Sequence, residues 1–330
     1  MTQRRPYRPT RRALFAVGGG ALLARPALAQ TGAWPNRTVR VIAPFVPGGS
    51  ADTLGRLVAQ ELTTTLGQSF VVENRAGAGG VVGSQQVARA APDGYTFVIS
   101  GIASHVVAPV VNPNAGFDPL RDFTHVAFLG GPPTILVVGA QLPVHNLAEF
   151  IALVRAGRPM SYGSPGAGTH GHLFGVAFAR ASGLPLEHVP YRGAGGAVAD
   201  LIAGNLPAAS ITLASSLAGI RAGQLRALAV TTPRRTAVVP DVPTFAEQGF
   251  PDLVGITWFG LSGPAGLPEP IVTTLNREVV RIMAGPRMRE RLAADSFESG
   301  DYSAPAFTRF VESEIARWAP VARAAGLSAE

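Results

Sequence analysis

Val39-Arg40-Val41-Ile42-Ala43-Pro44-Phe45-Val46-Pro47-Gly48-Gly49-Ser50-Ala51-Asp52 is the stretch from which the fold class is read. Its first five residues are apolar with almost no alternation, the pattern of a strand covered on both faces. Prolines and glycines then break the run. Beyond them Leu54, Leu57, Val58, Leu62 and Leu66 recur at helical spacing, with Ser50 the expected N-cap and Gly67 just past the end. Strand, Gly-rich turn and helix in that order form the repeating unit of an α/β sheet protein. Residues 70–72 read as a second strand, 81–90 as a helix stopped by Pro92-Asp93-Gly94, and 95–100 as a third strand. This is a βαβαβ series with right-handed crossovers.

Outward toward the C-terminus, a Pro-rich stretch at 109–119 precedes two apolar runs, 126–130 and 134–138, that flank Pro132-Pro133 and carry the chain into another lobe. A second α/β series starts there. Asn146 and Glu149 form a capping box for a helix ending at Gly157, and strands are expected at 160–164, 188–191, 208–212 and 225–231. Residues 256–262 read as a strand leading into Gly263-Pro264-Ala265-Gly266, and the rest is helical. Phe307, Phe310, Val311, Ile315, Trp318 and Val321 make one apolar stripe, a packing face against the first lobe. The expected division is residues 30–130 with 256–330 in lobe 1 and 131–255 in lobe 2, each a mainly parallel sheet flanked by helices and hinged by crossover segments.

Toward the N-terminus, Thr10-Arg11-Arg12-Ala13-Leu14-Phe15, an apolar stretch diluted by glycines, and Ala27-Leu28-Ala29 read as a signal peptide of the twin-arginine type cleaved after Ala29. No later segment has the roughly 18 uninterrupted apolar residues of a membrane span. The chain carries 28 arginines, no lysine and 21 acids, a net charge of +7. Six of the arginines (4, 5, 8, 11, 12 and 25) lie in the first 29 residues, which hold no acid, so the charge falls to +1 without them. The basic balance belongs to the leader, and the remaining arginines are scattered among acids, which excludes a nucleic-acid partner. Zero cysteines exclude disulfides, thiolate metal sites and cysteine nucleophiles.

Two strand-to-helix turns stand out, residues 44–52 and Ser164-Pro165-Gly166-Ala167-Gly168-Thr169-His170. In a parallel α/β sheet, ligands bind beyond the carboxyl ends of the strands. Glycine lets the backbone approach a ligand, and the amides opening a helix attract anions. Hydroxyls at Ser50, Ser164 and Thr169 add donors. Taken singly, each turn is equally readable as a tight connection; facing each other across a cleft, the two would grip both ends of a short dicarboxylate. Asp52 reads as a first-turn acid favoured by the helix dipole, placed also to orient water or an amino group on the ligand. A rival reading takes Gly166 to Gly171 as the G-x-G-x-x-G dinucleotide fingerprint of an NAD-dependent oxidoreductase. Its acid should end the following strand, but Glu187 starts it. No G-x-S-x-G elbow is present. His170 and His172, two residues apart, diverge on a helix and cannot form a metal face. No catalytic residue, metal or cofactor is expected.

The resemblance that these residues carry is specific. Trp34-Pro35, residues 44–52, Val71-Val72-Glu73-Asn74-Arg75-Ala76-Gly77-Ala78-Gly79-Gly80, Ala91-Pro92-Asp93-Gly94-Tyr95, Phe117-Asp118-Pro119, Tyr162-Gly163-Ser164, His188-Val189-Pro190-Tyr191-Arg192-Gly193, Leu225-Arg226-Ala227-Leu228-Ala229-Val230, Pro240-Asp241-Val242-Pro243-Thr244 and Trp258-Phe259-Gly260 occur in order over nearly the whole mature chain. The set resembles the tripartite tricarboxylate transporter substrate-binding receptors, the Bug or TctC family. That resemblance implies a periplasmic binding protein of type II fold, a monomer whose two lobes close on a small organic acid and hand it to membrane permease subunits. It implies that the carboxylate is held by backbone groups, hydroxyls and bridging waters of two loops, here Phe45, Pro47, Gly48, Gly49, Ser50 and Asp52 in one and Ser164, Gly168, Thr169 and His170 in the other. Val46 stands where the family more often has proline. The family's Met-Phe-Asp segment corresponds to Ala209-Ser210-Ile211-Thr212, so Thr212 or Ser215 lines the pocket in place of the missing acid. Ser104 and His105 are further lining candidates. A receptor feeding a membrane sensor instead of a permease would carry the same residues.

Overall fold

In the computed structural model, residues 34–293 and 296–327 are described here; the expected signal peptide and its cleavage site lie outside them. The elements run β1 (Val39–Ala43), α1 (Ser50–Leu66), β2 (Phe70–Asn74), α2 (Val81–Ala88), β3 (Thr96–Gly101), α3 (Ala108–Val111), β4 (Phe123–Gly130), β5 (Thr134–Gly139), α4 (Leu147–Arg155), β6 (Met160–Ser164), α5 (His170–Ser182), β7 (Leu186–Pro190), α6 (Ala194–Ala203), β8 (Ala208–Thr212), α7 (Leu213–Arg221), β9 (Leu225–Val230), β10 (Phe259–Pro264), α8 (Glu269–Ala284), α9 (Pro286–Ala293) and α10 (Ala304–Ala324). They build two five-stranded sheets, ordered β2-β1-β3-β10-β4 and β7-β6-β8-β5-β9.

The two orders are the same pattern written twice. In each sheet three consecutive βα strands pair in parallel, and the fourth position is taken by an antiparallel strand: β10 between β3 and β4, and β5 between β8 and β9. Each antiparallel strand is the first that the chain makes after crossing from the other sheet. The protein is therefore a two-lobed α/β molecule with two crossovers. These run side by side: Thr257 N–H donates to the Pro132 carbonyl at 2.9 Å, Pro133 bridges Ile256, and the Thr231 hydroxyl donates to the Gly255 carbonyl at 2.6 Å. A Cβ on Gly131 would collide with the Thr257 carbonyl, so the close approach of the crossovers requires glycine there.

Because helices cover both faces of the second sheet, β5 is buried at every position and still sorts its side chains with period two. Ile135 and Val137 join Ala209 and Ile211 on one face, while Leu136 and Val138 join Tyr162 and Phe174 on the other. The latter cluster continues into the first lobe through Phe128, Trp258 and Phe307. The stripe on α10 packs on β4 as expected, and it also reaches α5 of the second lobe. Phe307 and Trp318 are 1% exposed or less, each worth on the order of 2 kcal/mol. Glu314 ties the helix to the crossover, accepting from the Trp258 and Trp318 indoles at 2.9 and 3.1 Å.

Each sheet is mixed and not mainly parallel, with two parallel and two antiparallel pairings, because each lobe takes in a strand returning from the other; two local expectations also need correction. The N-cap of α1 is Gly49, with no side-chain cap bond, because the first-turn carboxylate of Asp52 satisfies the Gly48 amide and leaves Ser50 exposed. The last strand begins at Phe259 and not at Ile256, because residues 256–258 are held by the other crossover. The 146–149 capping box is present: Asn146 accepts from Glu149 N at 2.9 Å, and Glu149 reaches back to the His145 amide.

Candidate ligand cleft

The carboxyl ends of β1, β2 and β3 and those of β6, β7 and β8 carry the loops that border the gap between the lobes. The loop after β1 is built by charge. Asp52 is 4% exposed; its carboxylate accepts from the Gly48 amide at 3.0 Å, from Asn74 Nδ2 at 2.8 Å and from the Arg56 guanidinium at 2.9 Å. Asn74 Nδ2 also donates to the Phe45 carbonyl at 3.1 Å, and Arg56 closes the ring on Asn74 Oδ1 at 2.9 Å. Burial by itself would raise the Asp52 carboxyl, but Arg56, the Gly48 amide and Asn74 outweigh it and hold it down to about 2. Both oxygens of Asp52 are thus engaged inside the protein, while Gly48 and Ser50 are exposed at the gap. Gly48 sits at φ +84°, in the left-handed region.

The loop after β6 is built by neutral groups. Thr169 caps α5 through His172 N, and its hydroxyl donates to the Gly166 carbonyl at 2.7 Å. The Ser164 hydroxyl, fully buried, lies 2.7 Å from His188 Nε2 and accepts from Gly166 N at 3.2 Å. The Gly168 amide donates to His172 Nδ1 at 3.2 Å. The hydroxyls of Ser164 and Thr169 are consumed in shaping the loop, which leaves Ala167 and Gly168 as its surface on the gap.

Two cavities border that gap, and each draws on both lobes. One, of about 150 Å³, is lined by Gly48 and Ser50 from the first loop, Pro132 from a crossover, Thr212 and Ser215 at the start of α7, and Arg291 on α9. The Thr212 and Ser215 hydroxyls are 2.8 Å apart. The other, of about 140 Å³, sets Gly168 against Gly79, Ala103 and Val107. Hydroxyls and Arg291 line the first cavity beside Leu54, Leu57 and Phe297, the second is mostly apolar, and neither is lined by a carboxylate. The Arg291 guanidinium has no ion pair or hydrogen bond among the described residues.

The structure places the remaining candidates elsewhere. Ser104 and His105 are fully buried in a π-helical turn, Ile102–Val107, with Ser104 Oγ 3.0 Å from His105 Nδ1 and the ring against Phe117 and Phe123. Burial, with His125 nearby, keeps His105 neutral well below the usual range. His170 is 1% exposed and stands at the hinge, its Nδ1 2.8 Å from Thr134 Oγ1 and its ring edge-on to Trp318; burial foremost, then Arg317, push it down to about 3. Pro47 and Gly49 shape the first loop's turn. Glu187 lies in the amino half of β7, away from the carboxyl end where a dinucleotide fingerprint needs its acid. Among the described residues no group of three His, Asp or Glu side chains is placed to hold a metal ion. Sequence reasoning missed Arg291 and the pairing of His172 with His188; for Asn74, its place in the motif 71–80 was the available signal.

Two α/β lobes with matching sheets, joined by paired crossovers and opening on an anion-friendly gap, define a solute-binding protein of the periplasmic type. The chain belongs to the tripartite tricarboxylate transporter family of receptors: the TctC family profile matches residues 54–327, beginning just after the first loop. It is similar to Protein BugT of Bordetella pertussis, 36% identical over 308 residues that cover 92% of this chain and 93% of that one. Among solved structures it is similar to R. palustris Rpa4515 with adipate (37% identity, TM-score 0.79, covering 89% and 99% of the two chains). It is also similar to MatC from Rhodopseudomonas palustris with bound malate (33% identity, TM-score 0.76, 87% and 99%).

Proposed function

We propose that this protein is exported under a twin-arginine leader cleaved after Ala29, works in the periplasm as a monomer, captures a small di- or tricarboxylate between its lobes, and delivers it to a tripartite tricarboxylate-type permease. The lobes are residues 30–130 with 256–330, and 131–255. The observation that carries this reading is the composition of the first cavity: Ser50, Thr212, Ser215 and Arg291 line it from both lobes without a lining carboxylate. Such walls favour a negative ligand through fixed dipoles and through the helix starts at Ser50 and Leu213. Closure about the paired crossovers would bring the loops of residues 45–52 and 164–170 onto the ligand's two ends. Adipate and malate, held by two similar proteins, belong to the ligand class that these walls suit. Calorimetry of the mature protein with malate, adipate and citrate tests the reading, together with mass spectrometry of small molecules released from the purified protein. Saturable binding of a carboxylate supports it; no carboxylate bound or released sinks it.

A further inference from the structure

Under the second loop lie two imidazoles in face-to-face contact. His172, in the first turn of α5, and His188, in the middle of β7, stack with ring centroids 3.6 Å apart and planes 7° from parallel. Parallel pairing of β6 with β7 sets Tyr162 opposite His188, so the Tyr162 ring packs on the stack at 5.1 Å while its hydroxyl donates to the His172 carbonyl at 3.1 Å. Each imidazole holds one end of the loop. His172 Nδ1 accepts from the Gly168 amide, and His188 Nε2 meets the Ser164 hydroxyl from which Gly166 hangs.

A backbone N–H can only donate, so the bond from Gly168 requires a bare Nδ1 on His172 and places that ring's proton on Nε2. A protonated His172 would present N–H to N–H and would lose the loop. Protonating both rings would also set two like charges at stacking distance. Tyr162, Ser164 and the other imidazole are the polar side chains shown against the stack from β6, β7 and α5, and among the described residues no carboxylate bonds to either ring to stabilise a cation.

We infer that His172 and His188 are positioning residues for the second ligand loop, which keeps its binding shape only while His172 is neutral. This inference rests on the receptor reading above. Burial pushes His172 down to about 4, and burial followed by the neighbouring His172 does the same for His188. The loop is therefore set through the neutral range and is released in acid.

Two substitutions separate the acceptor from the ring. His172→Phe keeps a stacking plane and removes the acceptor; His172→Asn returns an acceptor near Nδ1 that does not titrate. With malate and adipate as probes at about pH 7.5, His172→Phe should bind about tenfold more weakly than the wild type, and His172→Asn should recover most of that loss. Toward about pH 3.5 the wild type should lose affinity faster than His172→Asn. Protonation of the probe cancels in that ratio. Equal affinity of the Phe variant and the wild type, with both shown folded by circular dichroism, overturns the inference, as does a ratio that stays flat with pH. Nitrogen-15 spectra give readouts that need no ligand: His172 should carry its proton on Nε2, and His172→Phe should speed hydrogen exchange at the Gly168 amide about tenfold. A proton on Nδ1, or unchanged exchange, overturns the inference even if neither probe binds. The expected spectra combined with no carboxylate binding would remove the receptor reading and leave the loop assignment standing.

Discussion

The two loops at the gap do equivalent work by opposite electrostatic means. Residues 45–50 hang on an ionised carboxylate, Asp52, clamped by Arg56 and Asn74, whereas residues 164–169 hang on two uncharged imidazoles and two hydroxyls. A charged clamp resists acid until its carboxylate is protonated; a neutral imidazole clamp fails once the acceptor ring, His172, takes a proton. Loops of like position and glycine content thus differ in what loosens them, and the lobes should part company as pH falls.

The largest effects should come from removing the backbone freedom the loops share. Gly48 and Gly168 lie at φ +84° and +72°. A valine Cβ at 168 would press within 3.1 Å of Val107, whereas at 48 it meets open space. Gly168→Val should weaken carboxylate binding by on the order of a hundredfold, and Gly48→Val by less, mostly through backbone strain of about 1–3 kcal/mol. Titration calorimetry of both variants checks the order, and equal losses would show that strain alone governs the two turns.

Next in size is the charged clamp. Asp52→Asn keeps the shape of the side chain but replaces one oxygen with a donor and leaves Arg56 unneutralised, which should cost about 1–3 kcal/mol of stability, read by urea denaturation. The stability that Asp52 contributes is present above its ordinary pKa of 3.8 and is lost as pH falls toward about 2. The histidines act earlier. Unfolded imidazoles take protons near 6.5, whereas His125, His172 and His188 stay neutral to about 4 and His170 to about 3. Between those values the unfolded chain holds more protons than the folded one, so stability should fall as pH drops from about 6.5 to about 4. Denaturation midpoints across that window measure the slope, and a flat profile would contradict neutral burial of these rings. The smallest effect is expected at Arg291, which is exposed and without an ion pair among the described residues: Arg291→Gln should weaken dicarboxylate binding by a few-fold and leave stability within about 0.5 kcal/mol.

Much of the frame was legible in the sequence. β1, β6 and β8 have the ends read from the sequence, Gly67 closes α1 at φ +70°, and the order of motifs carried the family. These features were legible because apolar period, caps and turn residues act over a few positions. The roles of the polar residues in the loops were not. Ser164 and Thr169 were read as donors to a ligand, yet their hydroxyls bond within the loop; Ser104 and His105 lie inside the first lobe, and His170 lies against the crossovers. Arg291 reaches the gap from a helix more than two hundred residues beyond the loop that it faces.

By itself the sequence determined two α/β series, glycine turns at the ends of their strands, and membership of a receptor family. The tertiary structure decided which donors remain free to meet a ligand. A hydroxyl or imidazole has few hydrogen-bonding positions, and whether the chain itself occupies them depends on neighbours brought together by folding, as His188 is brought to Ser164 across 24 residues. The amides of Gly48 and Gly168 are likewise taken inside the protein, by Asp52 and His172, so the turn's backbone path could be read in advance and its free donors could not.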